Sequence, residues 1–294
     1  MNIKDTSPGV LSAFDSGRFS LEQWKMYVDD WVPDVKELCL QDMKECLQSG
    51  FLWDADFLPV LNNVAADSAG REETVRLFRA VTGQLEEKIT ERFHRSVDAD
   101  VVLYLGLCNG AGWVVRIGGR TTVLLGIEKI MELNWCNEND MNGLILHELG
   151  HVFQAQHGLF ELNTANSSDR FLWQLFTEGV AMFFEQEIVE NPEYYHQDRN
   201  GWRDWCERNL AGIAGAFAED MHSMTRENQR YFGDWVDYEG RTDVGYYLGT
   251  RFVRFLAETE SFENVIRYDI ENVREGYDRF CRYVAGKDEE NARL

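Results

Sequence analysis

Asn139-Asp140-Met141-Asn142-Gly143-Leu144-Ile145-Leu146-His147-Glu148-Leu149-Gly150-His151-Val152-Phe153 is the stretch from which the rest of the chain is read. Asn139 or Asp140 is a suitable helix N-cap. Leu144, Leu146, Leu149, Val152 and Phe153 then give the apolar positions of a helix ending near Gly158. His147 and His151 are four residues apart, so both imidazoles project from one helical face and can hold one metal ion. Glu148 stands beside them, placed to take a proton from water at that ion.

A catalytic metal of this kind needs a third protein ligand and an open position. Glu178 is the stronger candidate. It interrupts the apolar run Leu175-Phe176-Thr177-Glu178-Gly179-Val180-Ala181-Met182-Phe183-Phe184, on a helix expected from Ser168-Asp169 to Asn191-Pro192. A carboxylate there is costly to bury unless a cation compensates it. Gly179 has no side chain and is expected to let this helix approach the His-bearing one. His157 is the alternative, at the third-histidine spacing of HExxHxxGxxH sites. The glycine that would turn the chain back is replaced by Gln154, and an uninterrupted helix rotates His157 off the metal face. Met224 is weak support for that alternative.

Outward from these helices, residues 1–97 read as a helical lobe. Ser20 caps a helix through Trp24, Tyr27, Val28 and Trp31, and Pro33 interrupts it before a continuation to Gly50. A single long helix is expected from Arg71 to His94. The pattern changes at Asp98. Val101 to Leu107, Trp113 to Ile117 and Thr121 to Ile127 read as strands, the last two joined by Gly118-Gly119-Arg120. The expected fold is therefore α+β, mainly helical, with a small mixed or antiparallel sheet preceding the His-bearing helix, and with residues 98–294 as the catalytic domain.

The net charge of −22 excludes nucleic acid as a partner, since phosphate binding needs a basic face. No apolar stretch is long enough to cross a bilayer, and Met1-Asn2-Ile3-Lys4-Asp5 lacks the basic flank and apolar run of a secretory signal. A cytoplasmic protein without a membrane partner is expected. Its six scattered cysteines, with no CxxC pair, read as reduced thiols.

His147-Glu148-Leu149-Gly150-His151 together with Thr177-Glu178-Gly179-Val180-Ala181 resembles the gluzincin peptidases, most closely bacterial families of predicted zinc-dependent proteases. The resemblance covers about Val101 to Leu256, including a Gly-rich hairpin before the motif and Gly245-Tyr246-Tyr247-Leu248-Gly249 after it. It implies a zincin-like fold, Zn2+ held by His147, His151 and Glu178, and Glu148 as general base for water attack on a peptide or protein substrate. It also implies Thr121 to Ile127 as the edge strand that pairs with substrate. Tyr246 is expected to assist as an electrophile, with Tyr247 in reserve. No Gly-x-Met-Glu-Asn element is present, so nothing points to an aminopeptidase. The alternative is a metal-binding structural or interaction protein without peptidase activity, against which the base Glu148 speaks. Oligomeric state is not legible.

Overall fold

Val101-Val102-Leu103-Tyr104 and Val123-Leu124-Leu125 are continuous apolar runs, as expected for strands covered on both faces, and they form the centre of the sheet. The computed structural model describes residues 1–225, 228–233 and 235–291. Its architecture is α+β, predominantly helical with one small mixed sheet. The chain divides into two compact units, Met1–Glu148 and Leu149–Leu294.

In the first unit, strand β1 (Asn2–Asp5) is followed by a short hairpin, β2 (Phe14–Asp15) and β3 (Arg18–Phe19). Helices α1 (Leu21–Trp31), α2 (Lys36–Gln48), α3 (Leu58–Ala66), α4 (Ser68–Thr82) and α5 (Leu85–Phe93) come next. The Ser20 hydroxyl caps α1 by accepting the Gln23 N–H, as the sequence indicates. The helix expected from Arg71 to His94 is broken at Gly83-Gln84, and α5 ends with His94 in the left-handed region at φ 52°. The apolar stripe runs through this break, which hides it from a periodicity argument.

Strands β4 (Asp100–Tyr104), β5 (Gly112–Ile117) and β6 (Arg120–Gly126) follow, and the four-stranded sheet has the order β1-β4-β6-β5. β1 and β6 run parallel to β4, and β5 runs antiparallel to β6. One expectation is corrected here: the exposed edge of the hairpin is β5, because β6 is paired on both sides. The first compact unit extends past residue 97 to Glu148, with the helices and the sheet joined within it. The start of the chain enters the sheet through β1, and Asp5 accepts a hydrogen bond from Arg79 Nε at 2.7 Å. Helix α1 is locked to the end of β4: Trp24 Nε1 donates to the Leu105 carbonyl at 2.9 Å, and the Tyr27 hydroxyl accepts the Leu105 N–H at 3.0 Å. Helix α6 (Ile127–Glu132) closes this unit before α7 (Glu138–His157), within which the division between units falls.

The second unit is helical: α8 (Ser167–Ile188), α9 (Trp202–Arg208), α10 (Leu210–Asp220), α11 (Val244–Ala257), α12 (Phe262–Val265) and α13 (Ile270–Asn291). Its core is aromatic, with Phe176, Phe252, Tyr277 and Phe280 in successive ring contacts. Helix α8 is the spine. A Cβ on Gly179 would lie 2.2 Å from the Gly249 carbonyl oxygen of α11, and one on Gly150 of α7 would lie 2.7 Å from Ala181 Cα. Gly150, inside the histidine motif, is therefore the residue that admits α8 to the His-bearing helix, whereas Gly179 serves the crossing with α11. No cysteine is in a disulfide, and no helix among the described residues is long and apolar enough to cross a membrane.

Candidate metal centre

Helix α7 begins one turn earlier than its apolar pattern suggests. Asn137 is the cap: its Oδ1 accepts the Asp140 N–H at 3.0 Å, and its Nδ2 donates to Asp140 Oδ2 at 2.7 Å. From Leu144 to Phe153 the helix is buried except at His147, Glu148 and His151, which are half-buried. The motif side chains thus form the one polar, solvent-reaching strip on this part of an otherwise enclosed helix.

His147, His151 and Glu178 each offer one ligand atom, and these three atoms lie within 4.8 Å of one another. They are the one such group of His, Cys, Asp and Glu among the described residues, and they could hold a metal ion. His151 Nε2 is 3.4 Å from Glu178 Oε2. The loop after α7 supports this arrangement: Trp173 Nε1 donates to the Phe160 carbonyl at 2.6 Å, and the Phe160 ring lies 5.6 Å from the His151 ring. Gly150 sets the approach of α7 to α8, as described above.

His157 is not in the group. Helix α7 runs unbroken up to it as its last residue, its ring packs 4.7 Å from Phe153, and its carbonyl accepts Arg267 Nε at 3.2 Å. Met224 is a core residue, 5% exposed, whose carbonyl accepts the Ser167 hydroxyl. Glu148 faces β5: a Cβ on Gly112 would meet its Cγ at 3.2 Å and its Oε1 at 3.3 Å. The start of the edge strand therefore passes close along the carboxylate, and a side chain at Gly112 would crowd it.

Tyr246 is half-buried on α11, one turn before Gly249, with its ring edge-on to Phe232 at 5.4 Å. Tyr247 is buried and its hydroxyl is bonded to Glu207, so it does not serve as the reserve electrophile. Two buried carboxylates of α8 are engaged elsewhere: Asp169 accepts from Arg274 at 2.6 Å, and fully buried Glu185 lies 2.9 Å from His196 Nδ1.

Sequence reading missed Glu128. It is 1% exposed, at the first turn of α6, and accepts the Gly106 N–H at 2.9 Å and the Cys108 N–H at 3.2 Å. Burial pushes its pKa up to about 7, against the opposing effect of those N–H donors. Its signal was the apolar frame Leu124-Leu125-Gly126-Ile127 before it and Ile130-Met131 after it.

Compared with known proteins, the chain matches no family model, no curated protein and no solved structure.

Proposed function

We propose that this protein is a zinc-dependent hydrolase of the zincin type, and specifically a cytoplasmic peptidase acting on peptide or protein substrates. The observation that carries the reading is the convergence of His147, His151 and Glu178, with Glu148 next to the first ligand. Two neutral imidazoles and one carboxylate are a donor set suited to zinc, leaving a fourth position open. Tetrahedral bonds of about 2.0–2.2 Å separate ligand atoms by roughly 3.3–3.6 Å. The 3.4 Å between His151 Nε2 and Glu178 Oε2 agrees with that spacing.

Zinc held there would supply Lewis acidity, acidifying water and polarising a carbonyl. Glu148 then accepts the proton of the attacking water and delivers it to the departing nitrogen. Because Gly112 has no side chain, a substrate strand laid along β5 can bring its carbonyl close to Glu148. The free edge of β5, not β6, offers the backbone groups for that pairing. Tyr246 is assigned to donate a hydrogen bond to the developing oxyanion, since its helix crosses α8 beside Glu178.

A mixed peptide library incubated with the purified protein tests the reading. New termini should form with equimolar zinc, vanish with a chelator and return on zinc addition. A library left intact in all three states would sink the peptidase assignment.

A further inference from the structure

We infer that the cleft enclosed by α9, α10, α11 and α13 is a binding site for a small amphipathic organic anion, separate from the metal centre and independent of the proposed hydrolysis. The cleft has a volume of about 220 Å³, the size of a single aromatic or short aliphatic acid.

Its charge runs against that of the chain. Acidic residues outnumber basic ones 51 to 29 overall, yet the cleft is lined by Arg208, Arg251, Arg254 and Lys287 against only Glu207 and Glu258. The cations also differ in how far they are already satisfied. Arg254 is committed to α8, with Nε donating to Gln186 at 2.6 Å and its guanidinium 4.8 Å from the centre of the Phe183 ring. Arg251 is half-buried and lies 3.6 Å from a Glu207 oxygen that already accepts the Tyr247 hydroxyl. Arg208 and Lys287 pair with no carboxylate among the described residues, and Lys287 Nζ sits 4.5 Å over the Tyr283 ring. Two cations without a carboxylate partner among the described residues, and one guanidinium that shares its carboxylate with a tyrosine, surround a single cavity and are arranged for an anionic group.

The rest of the lining fixes the ligand's other half. Phe255, Phe280 and Tyr283 present aromatic surface, with Leu210, Ala211 and Val284 beside them. An inorganic ion would leave that surface wet, whereas an acid carrying a compact apolar body would cover it.

Dansylate, a sulfonate on one compact fused ring, is the probe, with neutral dansylamide as its uncharged counterpart. Fluorescence titration of the intact protein should show one saturable site per chain for the sulfonate, weakened by added salt. The double variant Arg208→Glu, Lys287→Glu should bind it at least about tenfold more weakly, the effect of reversing two favourable charge contacts. Both side chains are exposed, so the substitution leaves the core intact. Ala211→Trp, which fills the cleft instead, should abolish binding in a chain with wild-type thermal unfolding. Absence of a saturable site, unchanged affinity in either folded variant, or equal affinity for the neutral dye would overturn the assignment.

Discussion

Glu128 and Glu178 both interrupt apolar runs, and the molecule compensates them by different means. Glu128 is sealed in the first unit and held by two backbone N–H groups, with a pKa raised to about 7. Glu178 keeps 17% of its side chain exposed and faces His151 and His147. A carboxylate in apolar sequence therefore signals compensation without saying which kind. Partner type decides it: peptide N–H groups make a structural anchor, whereas convergent imidazoles make a group that could hold a cation. Glu178 could be singled out from sequence because a histidine pair was already on the page. The partners of Glu128 are loop amides, which leave no mark in residue identity.

The largest expected effect separates holding a metal from using it. Glu148→Gln keeps all three ligands and should retain zinc while hydrolysis falls about 10²–10⁴-fold. Steady-state rates beside elemental analysis check this, and full activity in the variant would remove Glu148 from the mechanism.

Next in size is the pH dependence contributed by Glu128. Its folded pKa of about 7 exceeds its ordinary value of 4.5, so the folded chain binds the proton more tightly than the unfolded one. Its contribution to stability is full below pH 4.5 and is lost as pH rises to about 7, for a total of about 3 kcal/mol. Denaturant titrations at intervals across that window should show wild type losing this amount relative to Glu128→Gln. Parallel curves for the two chains would place the carboxylate's cost elsewhere.

Two glycine substitutions give the smallest effects and sharpen the contrast. A Cβ on Gly106 would lie 2.6 Å from Glu128 Oε1, and one on Gly150 would lie 2.7 Å from Ala181 Cα. Gly106→Ala and Gly150→Ala should each cost about 1–3 kcal/mol by overpacking. Only Gly150→Ala should also weaken zinc retention, because it separates α7 from α8. Equal zinc affinity in both variants would break the link between that crossing and the metal centre.

Much of this was legible in the chain. Helices α7 and α8 follow from apolar periodicity to within about a turn at their ends, and the hairpin from Gly118-Gly119 between two β-type runs. β1 was not legible, since Asn2-Ile3-Lys4-Asp5 is short and polar and its partner Asp100–Leu103 lies nearly a hundred residues away. The edge was misread although the signal existed. Val123-Leu124-Leu125 is apolar at successive positions, as central strands are, while β5 is half-exposed along its length. Gly179 was paired with the wrong neighbour because a glycine's lack of side chain says that something is close without saying what. Of the site, His147, His151 and Glu178 were readable from residue type and helical spacing. The wall that Gly112 makes along Glu148 depends on sheet order and was not.

The most direct test of the metal centre is zinc content, measured by elemental analysis on wild type, Glu178→Ala and His157→Ala purified in parallel. The account predicts close to one zinc per chain in wild type and in His157→Ala, with most of it lost in Glu178→Ala. Zinc retained in Glu178→Ala and lost in His157→Ala would contradict the ligand set, and no zinc in any of the three after reconstitution would contradict the metal centre itself.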